Sequence, residues 1–155
     1  MNTPQRLIVD CARLEAGSVD RIEVVRRCRL DDPGVPRAAV VDGVVDLEVT
    51  VRAAAGAYVA VGRLAGTWTA ECRRCLEEVR GPLEASVREV FEWEPAEGET
   101  WPINDRRIDL APVAREAAIL ALPAAPLCSE DCAGPVPERF PTGPAAVEWS
   151  TVTDV

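Results

Sequence analysis

Six cysteines stand in the chain, and four of them fall in two close pairs: Cys72-Arg73-Arg74-Cys75 and Cys128-Ser129-Glu130-Asp131-Cys132. Gaps of two and three residues let the two thiolates of one short segment reach the same tetrahedral ion. The chain contains no His, so a site built on these pairs is all-thiolate: Cys72, Cys75, Cys128 and Cys132. Four protein ligands leave no position for an activated water, and the expected role is a structural zinc that staples distant parts of the fold. A second chemistry is open to the first pair. Arg73 and Arg74 favour thiolate formation, which makes Cys72 and Cys75 a candidate redox dithiol and the chain a candidate thiol sensor. The pair is expected in a hairpin turn, however, whereas a thioredoxin-like dithiol lies at a helix N-terminus after a strand. Leu76 follows Cys75 where many zinc knuckles place Gly. Cys11 and Cys28 have no close partner and read as packing residues, since a free Cys behaves as a small hydrophobe.

The elements that must position these sulfurs are mostly strands. Val45, Leu47, Val49 and Val51 alternate with Asp46, Glu48, Thr50 and Arg52, the period of a strand with one wet face. Residues 53–56 read as a loop into a second strand over residues 57–70, in which Leu64, Trp68, Ala70 and Cys72 share a face. Leu83, Ala85, Val87, Phe91 and Trp93 share a face of a third, which places Trp68 and Trp93 in the core. Ile22 to Val25 reads as a short strand, and Asp31-Asp32-Pro33-Gly34 as a turn. The acidic, turn-rich residues 95–104 read as a surface loop. A helix follows, with Asp109 as N-cap, Ile108 stapled against Val113, Pro112 in the first turn and Pro123 at the end. Its apolar face is predicted to comprise Leu110, Val113, Ala114, Ala117, Leu120 and Ala121. The fold class is therefore α+β, mostly β: a twisted antiparallel sheet, or a partly closed barrel, with one main C-terminal helix. Residues 1–139 are expected to form one domain and residues 140–155 a flexible C-terminal tail.

Bulk properties narrow the function. Absence of His removes imidazole bases, imidazole metal ligands and Ser-His or Cys-His nucleophile pairs. Gly62, Gly66 and Gly81 fit no phosphate-binding loop, and the carboxylates are scattered. The sequence gives no reason to expect an enzyme or a small-molecule substrate. Met1 to Arg6 is polar and Leu7-Ile8-Val9 is broken by Asp10, so neither a secretory leader nor a membrane span is expected, and the cytoplasm is the expected compartment. Thiols there stay reduced. A net charge of −9 disfavours broad binding to phosphate backbones. Contact with RNA would be local, through Arg73, Arg74 and Arg80, or through Arg26, Arg27 and Arg29, or Arg106 and Arg107. Acidic surface residues such as those at 92–99 would instead dock on basic proteins.

Two stretches resemble a known family. Gly62 through Trp68-Thr-Ala-Glu-Cys-Arg-Arg-Cys-Leu-Glu-Glu-Val, with Glu89-Val90-Phe91, resembles the central signature of the YceD-like domain. Ile108-Asp109-Leu110 with Leu120-Ala-Leu-Pro-Ala-Ala-Pro-Leu-Cys-Ser-Glu-Asp-Cys-Ala-Gly134 resembles its C-terminal signature. The likeness runs in order over residues 7–134. It implies a bacterial ribosome-biogenesis factor linked to accumulation of large-subunit ribosomal RNA, with a ribosomal protein or the ribosomal RNA precursor as partner. Many relatives carry two further Cys where this chain has Val136 and Arg139. A metal held by C-terminal Cys alone has no place here, whereas the set of Cys72, Cys75, Cys128 and Cys132 is intact.

Overall fold

A computed structural model describes residues 7–135. The alternation at 45–51 grows into a longer ribbon, β4 (Ala38–Ala54), preceded by β1 (Ile8–Asp10), β2 (Ile22–Arg29) and β3 (Gly34–Val35). β5 (Ala57–Glu71) and β6 (Glu78–Glu92) follow as antiparallel neighbours, so β4, β5 and β6 form a meander of long strands. Along β4, Val45, Leu47, Val49 and Val51 are all at most 4% exposed. Before them Ala38 and Val40 are also buried, which breaks the period of two by one residue. The register shift between Val40 and Val45, with Asp42 and Gly43 at positive φ, restores the inward face. Without such a bulge one half of the strand would turn its apolar set to water.

The main sheet runs β2-β4-β5-β6-β7, with β3 on β4. Its last strand, β7 (Trp101–Pro102), lies parallel to Phe91 and Glu92. The stretch expected as a surface loop thus contributes a short strand and the buried Ile103. Among the described residues the sheet does not close towards a barrel: β2 and β7 end it, and a two-residue β7 offers no ladder on which β2 could close. β2 is also longer than the expected Ile22 to Val25, pairing with β4 through Arg29.

One face of this open sheet is covered by α2 (Ala111–Leu120) and by a small sheet of β1 with β8 (Arg107–Asp109). A further short helix, α1 (Ala12–Glu15), contributes the buried Leu14. Leu47, Leu64, Leu83, Phe91, Ile108, Leu110 and Val113 belong to one hydrophobic cluster. Burying each such side chain stabilises the fold by about 1.5–3 kcal/mol. Leu110, not Asp109, occupies the helix N-cap position, while the Asp109 carboxylate accepts the Ala111 amide at 2.9 Å. Pro112 sits in the first turn as expected. Leu120 is 77% exposed: the buried residues of α2 are Val113, Ala114 and Ala118, and Leu120 is the last residue of the helix. Trp93 is likewise exposed, just past the end of β6, whereas Trp68 packs partly buried on the core. The expected tail, with Val136, Arg139 and Trp149, lies outside the described residues.

Cys11 and Cys28 are buried in the core cluster, as packing residues should be. Burial first, then the charges of Asp10 and Glu15, push the Cys11 thiol up to about 12. The folded state therefore holds this proton more tightly than the unfolded chain, whose thiols titrate near about 8.5. The contribution is intact below that value and is lost as pH rises toward 12. Stability should fall above pH ~9 by up to ~1.4 kcal/mol per pH unit for this thiol. Urea denaturation across that range should show a shallower slope for Cys11→Ala; an unchanged slope would contradict the assignment.

Candidate metal centre

The β5–β6 hairpin ends on the pair Glu71↔Glu78, leaving residues 72–77 to make the turn. The Cys72 amide donates to the Glu77 carbonyl at 2.8 Å, and the Leu76 amide donates back to the Cys72 carbonyl at 2.9 Å. The turn closes only because Leu76 adopts φ +64, the left-handed region that costs a side chain about 1 kcal/mol. Many zinc knuckles place Gly at this position, and here a leucine takes the left-handed conformation. The Leu76 side chain is 55% exposed and packs little against the core. Leu76→Gly should keep the centre and leave stability unchanged or higher by up to ~1 kcal/mol, because relief of strain offsets the freer unfolded chain. A clear loss in urea denaturation would contradict this reading of the turn.

The second arm arrives from α2. Pro123 follows the helix, and the chain runs through Pro126 to the segment of Cys128 and Cys132. Three hydrogen bonds fasten it to the hairpin turn. The Arg73 amide donates to the Pro126 carbonyl at 3.0 Å, and Arg74 Nη1 donates to the carbonyls of Glu130 and Cys132, each at 2.9 Å. Arg74, expected as a candidate RNA contact, is thus a clamp on the second arm. Arg80 pairs with Glu78 at 2.8 Å on the surface, an interaction worth at most about 1 kcal/mol. Arg73 is exposed. Arg26, Arg27 and Arg29 lie on β2, Arg107 begins β8 and Arg106 precedes it.

Between the arms the four sulfurs of Cys72, Cys75, Cys128 and Cys132 lie within 4.8 Å of one another. Cys72 Sγ is 3.8 Å from Cys132 Sγ, and Cys75 Sγ is 3.7 Å from Cys128 Sγ. A tetrahedron of sulfurs at about 2.3 Å from a central ion has edges of about 3.8 Å. A disulfide would bring a pair to about 2.05 Å, and all four cysteines are free thiols. Edge lengths, ligand number and all-sulfur chemistry fit a tetrahedral site for a soft or borderline divalent ion. The centre is graded in depth: Cys72 is fully buried and Cys132 is 8% exposed, Cys75 is half-buried, and Cys128 is exposed.

Ionisation within the cluster is uneven. The Cys75 amide, with help from those of Arg74 and Cys128, outweighs burial and lowers the Cys72 thiol to about 6. The Glu77 amide favours the Cys75 thiolate, but burial and the three neighbouring sulfurs prevail and raise it to about 12. Cys128 is raised chiefly by Cys132, with Cys75 partly opposing. Cys72 gives up its proton readily while Cys75 and Cys128 hold theirs, because a further thiolate beside the first faces its charge. A divalent cation at the centre of the four removes that repulsion.

A long antiparallel meander, one covering helix and two cysteine arms meeting at the end of a hairpin define a small α+β protein with a closed four-sulfur centre. The chain belongs to the YceD family: the family model described as large ribosomal RNA subunit accumulation protein YceD matches residues 60–143, a span that holds both arms. An uncharacterized protein of Mycobacterium tuberculosis is 31% identical over 101 residues, covering 61% of this chain and 49% of the relative. An uncharacterized protein of Mycobacterium bovis matches with the same identity and coverage. The chain spans about half the length of these curated relatives. No solved structure matches it. Among the described residues no helix is long and apolar enough to cross a membrane.

Proposed function

We propose that this protein is a non-catalytic ribosome-biogenesis factor of the cytoplasm that supports accumulation or processing of large-subunit ribosomal RNA by binding protein or RNA. In this reading Cys72, Cys75, Cys128 and Cys132 hold a structural zinc. The observation that carries it is the family match over residues 60–143, which spans the hairpin knuckle and the second arm together. The chemistry of the centre agrees. Four sulfur ligands leave no open coordination position, so zinc supplies cross-linking of the hairpin to the chain after α2 and no reactive water. The net charge of −9 favours a basic ribosomal protein as the direct partner over a long stretch of RNA, because charge complementarity speeds docking and like charge opposes it. Arg73 and Arg80, exposed beside the knuckle, remain the candidates for local contact with RNA. No membrane and no small-molecule substrate enters this reading.

The test is depletion of the protein in growing cells, with the ratio of large- to small-subunit ribosomal RNA as readout. The ratio should fall, and re-expression of the intact chain should restore it. An unchanged ratio after verified depletion overturns the proposal.

A further inference from the structure

We propose that Cys75 and Cys128 form an oxidative modification site, at which a hydroperoxide links the two sulfurs and opens the metal centre from its outer side. The inference rests on the metal reading above and adds to it an order of events among the four ligands.

The structure sorts the sulfurs into two pairs. The inner pair, Cys72 and Cys132, is nearly closed to solvent, and the carbonyl of Cys132 is held by Arg74. The outer pair is Cys75, half-buried, and Cys128, exposed, with their sulfurs 3.7 Å apart. Oxidation of cysteine depends on access as well as on thiolate character. Metal coordination keeps all four sulfurs in thiolate form, so access decides which reacts first. Cys128 is the sulfur a dissolved oxidant meets.

The chemistry closes without a further reactant. The Cys128 thiolate attacks one peroxide oxygen; an S–O bond forms, the O–O bond breaks, and hydroxide leaves. The Cys75 thiolate then attacks Cys128 Sγ; an S–S bond forms, the S–O bond breaks, and a second hydroxide leaves, both hydroxides taking protons from solvent. Two sulfurs have lost one electron each, and one peroxide has become two waters. Two of the four ligands are thereby withdrawn, while Cys72 and Cys132 remain as thiols in the interior. Closing the pair asks the sulfurs to approach from 3.7 Å to about 2.05 Å. The segment that must yield is the Cys128 side, which carries the exposed sulfur.

The experiment treats the protein, as purified with its metal, with hydrogen peroxide. A chromogenic chelator follows metal release, and the first disulfide is mapped by alkylation and peptide mass spectrometry. The expected result is a Cys75–Cys128 linkage that rises together with metal release and is reversed by a thiol reductant. Cys128→Ser is expected to form no early linkage. Because that variant also loses a ligand, the wild-type map decides. A first linkage between Cys72 and Cys75, or between Cys128 and Cys132, overturns the inference, as does release with no linkage at all. If the chain is purified without metal, the zinc reading fails by itself. Zinc is then added back before oxidation: a first Cys75–Cys128 linkage on the zinc-loaded chain upholds the ordering, and a different linkage, or a chain that takes up no zinc, overturns it.

Discussion

Cys72→Ser and Cys132→Ser should each empty the centre of metal and lower the thermal unfolding midpoint by roughly 10 °C. The size follows from linkage: a ligand at about a thousand times its dissociation constant contributes about 4 kcal/mol. For a chain of this length 1 kcal/mol corresponds to about 2–4 °C. The inner positions are the severe ones because Cys72 and Cys132 are 0% and 8% exposed. A hydroxyl there is a poor ligand for the ion and has no water to satisfy it. Cys128→Ser should be milder, since the position is exposed and water can take the vacated place. Scanning fluorimetry with and without a strong chelator checks the account. Chelation should bring the wild type down to the level of the inner variants and leave those variants unmoved. Equal midpoints for the wild type and Cys72→Ser would remove the staple from the account.

Gly62→Ala should be as damaging, for a reason unrelated to metal. Gly62 lies on β5 between the buried Ala60 and Leu64, paired with Val49 of β4. A Cβ placed there would sit 1.9 Å from the Glu48 carbonyl oxygen and 2.7 Å from the Val49 Cα. Both are backbone atoms of the neighbouring strand, so relief means prising β4 and β5 apart. The cost should be at least about 3 kcal/mol, at or beyond the upper end for overpacking. Gly81→Ala is the control. Its Cβ would meet the Trp68 ring at 2.5 Å, but a side chain can turn aside, and about 1–2 kcal/mol is expected. Urea denaturation of the two variants should rank Gly62→Ala well below Gly81→Ala. The reverse order would mean that the close approach of β4 to β5 at this point is wrong.

The two arms of the sulfur centre were legible because spacing is a local property: a Cys pair two or three residues apart declares itself wherever the fold puts it. The alternation from Val45 to Val51 was legible for the same reason. What the sequence hid is tertiary. Arg74 looks like any surface Arg until the carbonyls of Glu130 and Cys132 are seen to lie within its reach. The left-handed backbone at Leu76 runs against the preference of a leucine, so propensity points away from it. The bulge between Val40 and Val45 broke the period of two, and with it the reading of where β4 begins. Periodicity points Leu120 and Trp93 inward, but Leu120 is the last residue of α2, Trp93 lies just past the end of β6, and both are exposed. The short parallel β7 inside an acidic, turn-rich stretch had no local signal. Its two residues are held by Phe91 and Glu92 of a strand that the periodicity had already spent.

The depth grading of the four sulfurs was equally beyond the sequence, since Cys75 and Cys128 are the same residue type as Cys72 and Cys132. It follows from where the chain runs. Cys72 continues the inward face of β5 directly from Ala70, whereas Cys75 is carried out into the turn. That difference gives one centre two functions in the account, a buried half that staples and an outer half that can react.

Zinc-edge X-ray absorption on the protein purified without added metal addresses the centre most directly. One zinc per chain is expected, with a shell of four sulfurs at about 2.3 Å and no nitrogen or oxygen neighbours. A chain free of zinc, or a shell in which oxygen replaces two or more of the sulfurs, would contradict it.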